Sequence, residues 1–320
     1  MRRLKRNVSE HRHHLHFFMN PYQLIADTPD RVGESPVWDV RHHRLWWVDI
    51  EGAFIRCTEP GTSAPVQSWR MPERVGCIAL TAVQGQLIAA METGIARVTL
   101  HEGGQVDIDE LVHIQHPAPG MRFNDGRCDA SGRLWVGTMV MDMSLASDLG
   151  GLYCLDERGL TGPHVTGLLT PNGLGLSPDG RTLYLSDSHP KVQKIWAFDL
   201  DEASGSLSNK RLFVDMNDWP GRPDGAAVDA QGHYWICGND AGQIHAFDAQ
   251  GQWCQSLTLP MPKPSMCAFG GAELDHMFVT SIIPANTTDA TRGPSGAVIA
   301  LQPGVRGMPE PIFSRFPTSA

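Results

Sequence analysis

Six short apolar runs recur along the chain at nearly equal intervals: RLWWVDI from Arg44, QLIAAME from Gln86, RLWVGTM from Arg133, TLYLSDS from Thr182, HYWICGN from His233 and HMFVTSI from His276. Successive starts lie 42, 47, 49, 51 and 43 residues apart. Each run is too short for an ordinary helix, and its β-branched and aromatic content favours a strand. The flanks repeat as well. Upstream stand SPVWDVRHH, GCIALTAVQG, NDGRCDASG, NGLGLSPDG, DGAAVDAQG and CAFGGAELD, each a strand running into a polar or Gly turn. Downstream stand AFIRC, GIARVTL, GGLYCLDERG, KIWAFDLD, GQIHAFDAQG and GAVIAL, each a further strand. With a less regular fourth strand such as KRLFVDM, one unit is a four-stranded antiparallel sheet, and a period of forty to fifty residues is that of propeller blades. The expected class is therefore all-β, a six-bladed β-propeller with four-stranded antiparallel blades around a central channel. A β-sandwich has no reason to repeat a three-strand grammar six times. Trp46, Trp47, Trp135 and Trp235 fall inside the repeated strands and are expected to pack between blades rather than to stack on a ligand. The segment MVMDMSLASDLG, Met139 to Gly150, is a longer insertion of the kind that overlies a binding face.

Residues 19–320 are expected to form one propeller domain, and residues 1–18 a basic extension outside the repeat. That extension carries five Arg or Lys against one Glu, and since the whole chain has a net charge of −9, the remainder is near −13. Such a surface argues against nucleic acid as a partner. No apolar run is long enough to cross a bilayer, and the basic start lacks the apolar stretch and cleavage site of a signal peptide, which leads us to expect no membrane association. His11, His13, His14 and His16 read as part of a tail rather than as a metal site, and Met19 is an alternative beginning. Seven cysteines without a C-x-x-C, five of them (Cys77, Cys128, Cys154, Cys237, Cys267) in apolar strand-like runs, behave as small hydrophobes and point to a reducing cytoplasm.

In a propeller the first strand of each blade lines the channel. Aligning the six units on their second strands places Glu34, Gly76, Asn124, Asn172, Asp224 and Ser265 at equivalent positions nine to eleven residues upstream. In RFNDGRCDASGRLWVGT, Asn124-Asp125-Gly126 reads as a turn; the alignment turns its side chains inward. Two carboxylates and two amides converging on one axis need water or a cation between them. Oxygen-only donors suit a hard divalent cation, Ca²⁺, Mg²⁺ or Mn²⁺, and Zn²⁺ also accepts carboxylate oxygen.

The segments GESPVWD, LWWVDI, RFNDGRCDASGRLWVGTM, PNGLGLSPDGRTLYLSDS, RPDGAAVDAQGHYWICG and CAFGG, spread from Gly33 to Ile282, resemble the senescence marker protein, regucalcin and gluconolactonase family. The resemblance implies that Glu34, Asn172 and Asp224 bind one divalent metal and that Arg122 and Asn124 hold substrate oxygens. A Glu shortly after GTM also contacts substrate in the family, and Asp142 is the nearest match here. The implied activity is hydrolysis of a sugar (aldono)lactone to the sugar acid, with a small-molecule lactone as the partner. Asp224 is the candidate for the group that takes the proton from water, and Arg122 the candidate for stabilising oxyanion charge. His189, in DSHPK, is expected to be a solvated loop residue rather than a proton shuttle. No G-x-S-x-G elbow is present. The rival readings are a non-catalytic Ca²⁺-binding propeller and a metal-dependent esterase or phosphotriesterase.

Overall fold

Each recurring run becomes the second strand of a blade, paired antiparallel on both sides. In the third blade Leu134–Val140 lies between the inner strand Met121–Cys128 and the strand Gly150–Asp156, and Gly159–Leu168 forms the outer edge. The computed structural model describes residues 20–318 and contains six such four-stranded sheets. The expectations for residues 1–18 lie outside the described residues. Helix is confined among the described residues to three single 3₁₀ turns, Glu102–Gly104, Met143–Leu145 and Met216–Asp218, and none is long and apolar enough to cross a membrane.

The ring closes in a way the repeat did not reveal. Five blades are continuous in sequence, but the sixth takes its outer strand from the start of the described chain: Gln23–Ala26 pairs antiparallel with Val298–Leu301, Gln23 opposite Ala300 and Leu24 opposite Ile299. The two ends of the propeller are thereby joined by backbone hydrogen bonds.

Cores form between blades, since each sheet buries both faces against its neighbours. One cluster joins Val48, Ile55 and Trp69 of the first blade to Ile78, Leu87 and Val98 of the second. Trp47, Trp135 and Trp235 are fully buried and Trp46 nearly so, as expected. In two equivalent blades the indole N–H is satisfied by a carboxylate of the same grammar: Trp135 donates to Asp129 at 3.0 Å and Trp235 to Asp229 at 2.9 Å. Asp129 also accepts the backbone N–H groups of Ser131 (2.9 Å) and Arg133 (3.1 Å), so one side chain fixes both the turn and the tryptophan behind it. All seven cysteines are free thiols, the five singled out above among the six that are buried.

The Asn124-Asp125-Gly126 stretch is not a turn. It lies within the inner strand, and the turn follows at Asp129–Gly132, where Gly132 N–H donates to the Asp129 carbonyl at 2.9 Å. Pairing slips between Phe123 and Gly126, leaving Asn124 and Asp125 out of the ladder. The same slip occurs at Glu34/Val37, Asn172/Gly175, Pro223/Ala226 and Pro264/Cys267, whereas Cys77–Leu80 of the second blade pairs without one. A bulge re-aims side chains that a regular strand would alternate between faces.

Beyond Leu301 the chain crosses the face at which the inner strands end. Gly307 bridges to Asp229, Phe313 N–H donates to the Leu80 carbonyl at 2.7 Å, and Thr318 N–H to the Glu157 carbonyl at 3.2 Å. Phe313 is fully buried. This strap links the fifth, second and third blades.

The closing strand makes a direct prediction. A chain that starts at Asp27 should lose the outer edge of the sixth blade and unfold at a temperature lower by about 5 °C or more, the equivalent of roughly 2 kcal/mol or more in a protein of this size. A calorimetric melt that matches the full chain would show that the closure contributes nothing to stability.

Candidate functional site at the channel mouth

The bulged residues are buried where the inner strands begin: Glu34, Asn124, Asn172 and Asp224 are between 4% and 8% exposed, and Ser265 is fully enclosed. Neighbouring blades touch through them. Ser265 Oγ donates to the Gly33 carbonyl, Ser35 Oγ accepts Ile78 N–H at 3.0 Å, and Asn124 Nδ2 donates to the Pro171 carbonyl at 2.9 Å. Gly76, the second blade's representative, has no side chain because a Cβ there would stand 2.3 Å from the Phe123 carbonyl oxygen. Gly173, beside Asn172, has φ +62° and its Cβ would meet Tyr234 Oη at 2.5 Å. The strands are therefore tightly packed here, and Glu34, Asp125 and Asp224 lie within range of one another's charge.

Glu34 and Asp224 each spend little of their capacity on the protein. Ser35 N–H donates to Glu34 Oε2 at 3.1 Å, and Asn239 Nδ2 donates to Asp224 Oδ2. Asn172 makes no side-chain hydrogen bond to another described residue. Burial pushes the Glu34 carboxyl well above the usual range, and the neighbouring charges of Asp224 and Asp125 push it further. Asp224 is likewise raised, chiefly by burial, against the opposing pull of Arg222 and Asn239. Asp125 is raised to about 6 by burial; its Oδ2 accepts Leu174 N–H at 2.8 Å while its Oδ1 is buried with no partner. Each carboxylate draws on a different guanidinium: Arg122 offsets the charge of Glu34, Arg127 that of Asp125 and Arg222 that of Asp224. Arg122, buried itself, donates from Nη1 to Asn124 Oδ1 at 2.6 Å and to the Phe123 carbonyl at 2.9 Å, and its Nε has no partner.

Residues 32–283 match the family model described as the SMP-30/Gluconolactonase/LRE-like region. The chain belongs to this family. A 6-deoxy-6-sulfogluconolactonase of Pseudomonas putida is 33% identical over 294 residues, spanning 91% of this chain and 98% of that one. A pentonolactonase of Haloferax volcanii is 32% identical over 294 residues, spanning 89% of this chain and 96% of that one. The solved structure of a calcium-binding protein, regucalcin, from Agrobacterium tumefaciens superposes with a TM-score of 0.84 at 25% identity, covering 93% of this chain and 99% of that chain.

In this family member the donor set fits a hard divalent cation. Among the described residues no three or more His, Cys, Asp or Glu side chains form a ligand cluster; the ring offers two carboxylates and an amide instead. What favours a cation is that Glu34 and Asp224 are buried, mutually repelling and underused as acceptors, an arrangement that positive charge relieves.

The remaining expected residues fall differently. Asp142 is exposed, and its Oδ1 accepts Ser144 N–H at 3.0 Å and Ser144 Oγ–H at 2.6 Å, capping the turn Met143–Leu145. The loop that carries it does leave from the channel mouth, because Met139 lies opposite Arg122 and Met141 N–H donates to the Gly120 carbonyl at 2.9 Å. His189 is not a solvated loop residue: it is 6% exposed. Its Nδ1 accepts Lys191 N–H at 3.2 Å, which leaves Nε2 to donate to the Met143 carbonyl at 3.0 Å, so the ring pins the Met143 turn across to the fourth blade. Two residues were not singled out from sequence. Asp125 adds the third buried carboxylate, and its only signal was adjacency to Asn124. Asn239 orients Asp224, and it stood unremarked at the end of HYWICGN.

Because folding raises these carboxyl pKa values, the cation-free fold retains protons that the unfolded chain has released, and its stability falls as pH rises from the unfolded value of 3.8 to about 6 and above. A cation requires the carboxylates ionised. Adding Ca²⁺ or Mn²⁺ to chelator-stripped protein should therefore raise Tm more at about pH 7.5 than at about pH 5, and Glu34→Gln should shrink the increment. An increment independent of pH and unchanged in Glu34→Gln would place the cation elsewhere.

Proposed function

We propose that this protein is a divalent-cation-dependent hydrolase that opens a sugar lactone to its acid. The observation that carries the reading is the pairing of a buried, oxygen-only ring with Arg122, whose Nε is buried and unpartnered. The lactonase names of two relatives that each span nine-tenths or so of the chain support it.

Glu34, Asn172 and Asp224 would hold the cation, which supplies Lewis acidity toward the lactone carbonyl, worth several kcal/mol in such sites. Asp224 takes a proton from the attacking water as the water oxygen bonds to the carbonyl carbon. The same carboxyl returns that proton to the ring oxygen when the C–O bond breaks, leaving a hydroxy acid. A carboxyl held above its usual pKa is better matched to that exchange near neutral pH, and Asn239 fixes its orientation. Arg122 presents Nε to substrate oxygen and offsets developing negative charge. Asn124 is held at both ends, by Arg122 and by the Pro171 carbonyl, so its second N–H is aimed rather than free to rotate. Asp142, with one oxygen outside the cap, reaches the substrate's far hydroxyls from the rim.

Acid release from a panel of γ- and δ-lactones, with chelator and with cations restored, tests the reading. Hydrolysis should depend on added cation, and Asp224→Asn should lower kcat by about 10²–10⁴-fold with the fold intact. Cation binding without turnover of any lactone would favour a binding propeller; turnover of phosphotriesters alone would favour the esterase reading.

Selectivity provides a second test. A site that hydrogen-bonds hydroxyl groups discriminates against substrates lacking them, because its own groups are left unpaired. The kcat/KM preference for a sugar lactone over an aliphatic lactone should narrow in Asn124→Ala and in Asp142→Ala by about 1–3 kcal/mol each. Equal proportional losses on both substrates would assign these side chains to local structure only.

A further inference from the structure

The end of the channel opposite the ring holds a cavity of about 400 Å³, within the range of small-molecule sites. Its walls are the last residues of three inner strands, including Cys128, Leu176 and Val228, and its roof is the strap segment Met308–Pro311. The lining is mainly apolar, with one cation. Arg127 is nine-tenths buried there. Its Nη2 donates to the Ala226 carbonyl at 3.0 Å, its Nη1 stands 3.5 Å from Glu310, and its Nε is buried with no partner.

The strap is anchored on both sides of this roof but not within it. Gly307 N–H donates to the Leu274 carbonyl at 2.8 Å and Phe313 N–H to the Leu80 carbonyl at 2.7 Å. Beyond the bridge of Gly307 to Asp229, Pro309 to Ile312 makes no backbone hydrogen bond to a described residue, and Pro309 and Pro311 have no N–H to give. Glu310 can therefore leave Arg127 without breaking any backbone hydrogen bond.

We propose that this cavity binds a medium-chain aliphatic carboxylate, its chain against Leu176, Val228 and Met308 and its carboxylate on the Arg127 fork in place of Glu310. A planar guanidinium with an unspent N–H selects a two-oxygen anion. Apolar walls reject the polyhydroxylated lactone and acid of the ring site, whose hydroxyls would be buried there unpaired. The two sites therefore take different ligands.

Calorimetric titration of the full chain with octanoate, 1-octanol and acetate tests this. Octanoate should bind saturably at one site, at least about tenfold more tightly than octanol, with acetate undetected. Glu310→Gln, which removes the competing carboxylate, should tighten octanoate binding; Arg127→Gln should erase the preference over octanol. Ala130→Phe, on the exposed turn that lines the cavity, should block both ligands while leaving lactone hydrolysis unchanged. The proposal is overturned if octanoate does not bind, if octanol binds equally well, if Glu310→Gln has no effect, or if binding survives in Ala130→Phe. None of these outcomes depends on the ring's being a lactonase.

Discussion

Six strands that run side by side about one axis cannot all keep a regular ladder where they come closest, and much of this molecule follows from how that crowding is relieved. Five inner strands slip register at the same point, and the sixth presents Gly76 against the backbone of the next blade. A slipped residue loses its ladder partner but gains a new direction. Ser35 and Asn124 use theirs to bond the following blade, as Ser265 does across the closure to the first. The same geometric necessity that holds neighbouring blades together thus brings oxygen atoms to the axis.

Having brought them there, the fold pays in electrostatics. Glu34, Asp125 and Asp224 lie within range of one another's charge and out of water, and burial and repulsion push each carboxyl above its usual range. A chain selected for stability alone would place apolar groups at these positions, as it does throughout the clusters between blades. The unfavourable charge is retained at one level of the channel, next to the unspent Nε of Arg122, where a cation and a polar substrate would both relieve it.

The repeated grammar made the architecture legible because each blade must bury both faces. That forces strands of alternating or continuous apolar residues, and a carboxylate such as Asp129 or Asp229 fixes turn and tryptophan together. The ring was legible for the same reason, since equivalent positions in equivalent blades reach the same height. Other features depend on contacts that no period encodes. The Asn124-Asp125-Gly126 stretch has turn composition, but its neighbours across the channel convert it into a bulge within a strand. His189 sits in loop-like sequence and is buried because the Met143 turn folds over to meet it. The strand Gln23–Ala26 lies before the first repeat and is only four residues long, and it pairs with the edge of the sixth blade, more than 270 residues further along the chain. Asn239 acquires its role only through Asp224.

The two ends of the channel are finished by different means. At the ring end the walls are strand backbone and short polar side chains belonging to residues within the family match, 32–283. At the other end the channel is covered by chain that follows that match, anchored at Gly307 and Phe313 and without backbone hydrogen bonds to described residues from Pro309 to Ile312. Replacing Asn124 or Ser265 in the ring disturbs a hydrogen bond between blades. Replacing a side chain in the strap between its anchors disturbs a roof and a single ion pair, Arg127 with Glu310. Side chains are therefore constrained where the blades bond one another, and less so where the chain merely crosses them.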